Sequence, residues 1–155
     1  MKRRILLMLA AGIAAAGCAQ LGISATAAPN VTCTAGGTCN VPVTVTGTSN
    51  GCTVDVADHV SVPPNPNPGG NTIIKWQITS NSSNGFNFAS TGIAFDKPGK
   101  PAPPSGVMAP NGQGGGNAVT ITDNHRDNTT KGSWAYTVYV DGPATCSKDP
   151  WVDNN

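Results

Sequence analysis

The feature that most constrains the fold is the absence of two strong helix formers from most of the chain. Residues 28–155 contain no leucine and no glutamate, and all four leucines lie before residue 28. Valine and threonine, whose branched side chains fit pleated strands, are abundant instead, together with asparagine, glycine and proline. The composition therefore predicts a single all-β domain over residues 28–155.

The first 27 residues have the pattern of a bacterial-type export signal. Three basic residues at positions 2–4 precede an apolar run at 5–16 that is too short for a comfortable transmembrane span. Ala25-Thr26-Ala27 offers a cleavage site, so we expect a signal peptide and a secreted or periplasmic protein. Ala15-Ala16-Gly17-Cys18 resembles a lipoprotein box, which leaves the alternative of an outer-membrane lipoprotein anchored through Cys18.

Four cysteines remain beyond that segment, and in an exported domain they predict two disulfides. Cys33 and Cys39 flank a glycine-containing turn that can bring two short extended arms together. We therefore pair Cys33 with Cys39 and Cys52 with Cys146, so that the second bridge ties the C-terminal tail to an early strand. The spacings give neither a C-x2-C pair nor a histidine at zinc-finger distance, and we expect no metal and no cofactor.

Alternation of apolar and polar residues marks the strands. Residues 71–80 give the clearest pattern, which places Trp76 in the core between two isoleucines. About seven or eight short segments of this kind, separated by turn residues, predict an immunoglobulin-like or related Greek-key antiparallel β-sandwich. The last clear segment, residues 134–140, predicts one strand with four residues on a single face: Trp134, Tyr136, Val138 and Val140.

Two features are candidates for contact with a ligand or partner. A Pro/Gly-rich segment at residues 96–117 predicts a long surface loop, and Met108 lies within it. Trp151 in the tail either packs on the sandwich, once Cys146 anchors it, or remains exposed for stacking.

A catalytic interpretation centres on Gly47-Thr48-Ser49-Asn50-Gly51, which matches the G-x-S-x-G pattern of hydrolase nucleophiles. That motif needs a strand before the serine and a helix after it, whereas residues 52–56 alternate as a strand. We interpret the motif as a hairpin turn, so no catalytic residue and no enzymatic activity are expected. A serine hydrolase using Ser49 and His125 is the alternative from another class of function.

Charge excludes some partners. Between residues 28 and 155, six lysines and arginines stand against eight aspartates without a basic patch, so nucleic acid is not an expected partner. A membrane is expected only if Cys18 is lipidated. The aspartates, including the pairs Asp55/Asp58 and Asp123/Asp127, are interpreted as solvated turn residues and not as paired catalytic acids.

The ending CSKDPWVDNN combines a disulfide cysteine, a turn-forming Asp-Pro and a tryptophan. Together with GCTVDV and IIKWQITS, it resembles a group of small exported bacterial β-sandwich proteins that end in a C-x-x-D-P-W-like motif. The resemblance implies an exported sandwich and no particular activity. We expect a non-catalytic structural or binding protein. The alternative within that class is a carbohydrate- or surface-recognition module, with a protein or a surface glycan as its partner.

Overall fold

A computed structural model describes residues 29–67, 69–81, 85–110 and 114–155. The predicted export signal and Cys18 lie outside these residues. Within them the chain is all-β, with twelve strands and a short 3-10 helix at Asn128–Thr130. The strands are β1 (Val31–Thr32), β2 (Thr38–Thr48), β3 (Gly51–Val56), β4 (His59–Val62), β5 (Thr72–Asn81), β6 (Asn87–Ala94), β7 (Met108–Pro110), β8 (Ala118–Asp123), β9 (Gly132–Ala135), β10 (Thr137–Asp141), β11 (Cys146–Lys148) and β12 (Trp151–Asn154).

The strands form three sheets. The five-stranded sheet has the order β3-β2-β5-β8-β7, the four-stranded sheet β1-β4-β12-β9 and the three-stranded sheet β11-β10-β6. One antiparallel hairpin, residues 132–154, runs through the two smaller sheets, because β9 pairs with β12 and β10 pairs with β11. The amide of Tyr136 donates to the carbonyl of Pro150 at 3.0 Å where this hairpin bends. The two smaller sheets are thus joined by a continuous ribbon.

All three sheets contribute to one hydrophobic core. Trp76 lies fully buried on β5, as its alternation predicted, and its indole Nε1 donates to the hydroxyl of Tyr136 at 3.0 Å. The two rings meet edge to face, with centroids 5.2 Å apart. Burial raises the pKa of Tyr136 far above its ordinary value, so this hydroxyl stays neutral.

The expected single strand at residues 134–140 is wrong, because the chain changes sheets at Tyr136. β9 ends at Ala135 in the four-stranded sheet, and β10 begins at Thr137 in the three-stranded sheet. At the bend, protein packs on both sides of the backbone, and every residue from Trp134 to Val138 is buried. A period of two cannot describe a segment that is covered on both faces.

Strand number and direction also differ from the expectation. The structure has more than seven or eight strands for two reasons. β1, β7 and β11 contain only two or three residues, too few to show alternation, and the predicted segment 134–140 is divided between β9 and β10. Pairing is not antiparallel throughout, since β2–β5, β1–β4 and β4–β12 are parallel. Two parallel neighbouring strands need a crossover connection between them. Between β2 and β5 the chain leaves the five-stranded sheet, forms β4 in the four-stranded sheet and then returns.

Both predicted disulfides are formed. Cys33–Cys39 closes the short turn before β2, and Cys52–Cys146 joins β3 to β11 across a sequence separation of 94 residues. Lys148 reinforces the second junction, because its Nζ donates to the carbonyl of Val56 and lies 2.9 Å from Asp58 Oδ1. Two disulfides indicate an oxidising compartment.

Candidate functional site

The outward side of the four-stranded sheet carries a compact group of polar side chains beside a tryptophan. In β12 the buried residues Val152 and Asn154 alternate with the half-buried Trp151 and Asp153, so the second pair points away from the core. Ser133 of β9 and Ser61 of β4 lie opposite Asp153 in register. We call this surface the β12 face and define it by five residues: His59, Ser61, Ser133, Trp151 and Asp153.

Asp153 is the centre of the β12 face. Its Oδ2 lies 2.6 Å from Nδ1 of His59, and its Oδ1 accepts a hydrogen bond from the hydroxyl of Ser133. The His59 side chain is 48% exposed and the Asp153 side chain 21% exposed, so the imidazole remains open to solvent while the carboxylate is partly enclosed. Three adjacent strands therefore hold one carboxylate in a fixed orientation.

The order of these groups matters for the chemistry that they can perform. In a serine hydrolase the imidazole lies between the hydroxyl and the carboxylate, so that it can remove the hydroxyl proton. On the β12 face the carboxylate of Asp153 lies between Ser133 and His59 instead. This arrangement places a carboxylate, and not the imidazole, beside the Ser133 hydroxyl, so it lacks the hydroxyl–imidazole–carboxylate order of that triad.

The beginning of the predicted loop 96–117 folds against Trp151 and the tail. Nζ of Lys100 lies 5.3 Å from the centroid of the Trp151 ring, within range of a cation–π contact. Nζ of Lys97 contacts Asp149 Oδ2 at 2.7 Å. This hydrogen bond, with a further one from Thr137, holds the pKa of Asp149 below its ordinary value. The loop thus borders the β12 face at Trp151.

The two candidate contact residues occupy different sheets. Trp151 is half-buried on the β12 face. Met108 lies on β7, the outer strand of the five-stranded sheet, and its side chain is partly buried against the core. The segment 96–117 therefore contains a strand in addition to loop.

Ser49 and His125 have separate surroundings. Ser49 is exposed at the tip of the β2–β3 hairpin, where Thr48 pairs with Gly51 and the amide of Asn50 donates to Oγ1 of Thr48. His125 is 2% exposed, and its Nδ1 and Nε2 contact Thr130 Oγ1 at 2.7 Å and the main-chain oxygen of Asn155 at 2.9 Å. Both ring nitrogens of His125 thus have partners other than Ser49, and the geometry gives the hydrolase alternative no support.

One aspartate was misassigned from the sequence. Asp123 is 1% exposed and not a solvated turn residue, because it continues the inward alternation of Val119 and Ile121 along β8. Burial raises its pKa above the ordinary value, against the opposing hydrogen bonds from Asn154 and the His125 amide. Asp127 is exposed as expected, and hydrogen bonds from Thr129 lower its pKa. The alternation of β8 was the signal that could have identified the buried carboxyl.

Asp55 and Asp58 lie beside a lysine. Nζ of Lys148 is 3.6 Å from Asp55 Oδ1 and 2.9 Å from Asp58 Oδ1, and both carboxylates are about half exposed. Their partly solvated positions agree with the expectation of surface aspartates.

Comparison of the chain with models of protein families, with curated proteins and with solved structures finds no match. Within the described residues, no three His, Cys, Asp or Glu side chains are grouped so that they could hold a metal ion. The part of the chain that the structure describes also has no helix long and apolar enough to span a membrane.

Proposed function

We propose that this protein is an exported, non-catalytic binding module that recognises a surface saccharide through the β12 face. The observation that carries the proposal is the Asp153 carboxylate, oriented by His59 and Ser133 on the sheet that also presents Trp151. Saccharides combine hydroxyl groups with apolar C–H faces. A fixed carboxylate can accept hydrogen bonds from the hydroxyls, and an indole ring can stack on the C–H face.

Rigidity supports this use of the face. β12 is an inner strand, paired on one side with β4 and on the other with β9. Its backbone is therefore held by main-chain hydrogen bonds on both sides, which fixes the positions from which Trp151 and Asp153 project. Binding groups that are already in place lose little conformational entropy when a ligand arrives, which favours affinity at a small polar surface.

The compartment forms part of the proposal. The two disulfides fit an oxidising environment outside the cytoplasm. We propose that residues 1–27 direct export of a bacterial protein, that the product is secreted or periplasmic, and that it meets a membrane only if Cys18 is lipidated. We further propose that the domain is an immunoglobulin-like sandwich, similar to the small exported proteins with the C-x-x-D-P-W-like ending.

A glycan array probed with the exported protein tests the proposal, followed by calorimetry with each glycan that binds. Trp151→Ala and Asp153→Asn are expected to weaken binding by about tenfold or more. Thr79→Ala, an exposed change on β5 of the five-stranded sheet, serves as the control and should leave the affinity unchanged. Failure to bind any glycan, or binding that tolerates both β12-face changes, would refute the proposal. Ester hydrolysis that disappears in Ser49→Ala would favour the hydrolase instead.

A further inference from the structure

Of the three buried side-chain oxygens that have no hydrogen-bond partner among the described residues, two belong to side chains that touch each other. Asp123 is the last residue of β8 and Asn154 the last residue of β12. Nδ2 of Asn154 donates to Oδ1 of Asp123 at 3.2 Å, which links the five-stranded sheet to the four-stranded sheet. The atoms left without a partner are Oδ2 of Asp123 and Oδ1 of Asn154.

Both of these oxygens are acceptors when Asp123 is ionised, and burying two unpaired acceptors is unfavourable. A proton on Oδ2 turns that oxygen into a donor. A carboxylic acid and a primary amide are complementary, because each can donate to the other and accept from it. The Asn154 amide already donates to one carboxyl oxygen, so a single proton completes the second half of the ring.

We propose that the neutral carboxyl of Asp123 donates from Oδ2 to Oδ1 of Asn154, so that the pair forms a pH-sensitive latch between the two sheets. The latch goes beyond saccharide binding and does not depend on it. It makes the attachment of β12 to β8 dependent on pH.

The surroundings of Asp123 favour the neutral form. Thr72 of β5 and Met108 of β7 lie opposite it in register, and neither is charged. Asn154 lies between Val62 of β4 and Gly132 of β9, which add no charge from those strands.

His125 is the titratable group that acts on Asp123 from the same segment. Its amide donates to Oδ1 of Asp123 at 2.9 Å, and a charge on its ring favours the ionised carboxyl. Arg126, Asp127 and Lys131 follow in the same segment and are exposed to solvent. Burial opposes ionisation and has the larger effect, so the pKa of Asp123 is raised above its ordinary value of 3.8.

The direction of the pH effect follows from this raised pKa. The latch is fully formed below the unfolded-state pKa of about 3.8 and is lost as the pH rises through the higher folded-state pKa. Above that pH Oδ2 of Asp123 and Oδ1 of Asn154 are both acceptors, and both remain buried without a donor. The end of β12 is then held less tightly to β8.

Carbon-13 NMR of the aspartate carboxyl groups in the exported protein tests the latch directly. The signal of Asp123 is expected to titrate above pH 3.8, whereas those of Asp127 and Asp149 titrate below it. An Asp123 signal that titrates at or below pH 3.8 would overturn the proposal. The measurement needs no ligand and no variant, so its outcome is independent of the proposed saccharide binding.

Asp123→Asn provides a second test, because an amide at position 123 can make both bonds to Asn154 without titrating. Between about pH 4 and pH 8, the urea midpoint of the wild type should fall relative to that of Asp123→Asn. Asp127→Asn retains Asp123 and is the control, so the midpoint of the wild type should show no such fall relative to that of Asp127→Asn. A constant difference between wild type and Asp123→Asn would contradict the latch. So would added Na⁺ or Ca²⁺ that shifts the Asp123 signal at neutral pH, because a cation would then join the two oxygens.

Discussion

The indole nitrogen of Trp76 and the hydroxyl of Tyr136 form a hydrogen bond of 3.0 Å inside the core, between β5 and the bend of the hairpin 132–154. Both side chains are fully buried. The bond therefore fixes the position of the bend relative to the five-stranded sheet, and it satisfies the one donor that an indole carries.

Tyr136→Phe tests this bond. The change removes the acceptor and leaves the Trp76 N–H buried without it, so we expect a loss of about 1–3 kcal/mol in the free energy of unfolding. Urea denaturation followed by tryptophan fluorescence measures the loss. The control is Tyr139→Phe, which removes a hydroxyl that donates to Asp96 at the surface and should have a smaller effect. Equal losses in the free energy of unfolding would show that the buried bond stabilises the fold no more than the surface bond does.

The two disulfides should differ in their contribution to stability. Replacing Cys52 and Cys146 together by serine opens a loop with a sequence separation of 94 residues, and the chain-entropy model gives a loss of about 4–5 kcal/mol. Replacing Cys33 and Cys39 opens a loop with a separation of only 6 residues, for which the same model gives about 2 kcal/mol. Chemical denaturation of the two double variants measures the order. A larger loss from the short loop would mean that packing around the buried sulfurs of Cys33 and Cys39 outweighs loop closure.

The G-x-S-x-G segment gives a prediction that separates turn from nucleophile. Ser49→Ala at the exposed hairpin tip should change stability by no more than about 0.5 kcal/mol. Gly47→Ala should destabilise the fold by about 1–3 kcal/mol, because its new Cβ would lie 2.5 Å from Cys52 Cβ and 2.5 Å from the carbonyl oxygen of Gly51. Thermal unfolding of both variants tests the contrast, which would fail if Gly47→Ala were as stable as the wild type.

Lys97→Ala tests how the loop is held beside Trp151. Loss of the 2.7 Å contact with Asp149 should raise the pKa of Asp149 towards 3.8 and speed hydrogen exchange at the amide of Lys100, which donates to the carbonyl of Lys97. Because the folded-state pKa of Asp149 is lowered, the ion pair stabilises the protein above about pH 3.8 and is lost as the pH falls through that lower pKa.

The two side chains are 34% and 40% exposed, so solvent screening limits this contribution to less than about 1 kcal/mol. Carbon-13 NMR titration and hydrogen exchange measure the two effects. Lys75→Ala on β5 is the matched control, and an unchanged Asp149 titration in Lys97→Ala would contradict the expected role of the pair.

Local signals in the sequence predicted the features that depend on one segment at a time. Alternation identified Trp76 as a core residue, because β5 is covered on one face only along most of its length. Cysteine number and the turn between Cys33 and Cys39 gave both disulfides. These features follow from side-chain period and chain closure, which act over short distances or through a unique partner.

The remaining features depend on which segments meet in space. The bend at Tyr136 and the parallel β2–β5 pair result from the chain passing between sheets, and no local period encodes such a passage. The β12 face likewise combines His59, Ser133 and Asp153 from three strands that are distant in sequence. Among these remaining features, the burial of Asp123 could have been predicted from its own segment, since the alternation of β8 places its side chain in the core.

The bridge between Cys52 and Cys146 has a further consequence when the protein meets a protease. Every peptide bond from residue 52 to residue 146 lies within the covalent ring that this bridge closes. A protease that cuts the exposed loop at residues 97–106 opens the ring but releases neither piece, because the disulfide still joins them. A nicked molecule therefore keeps both of its parts, and its size on a gel changes only after reduction.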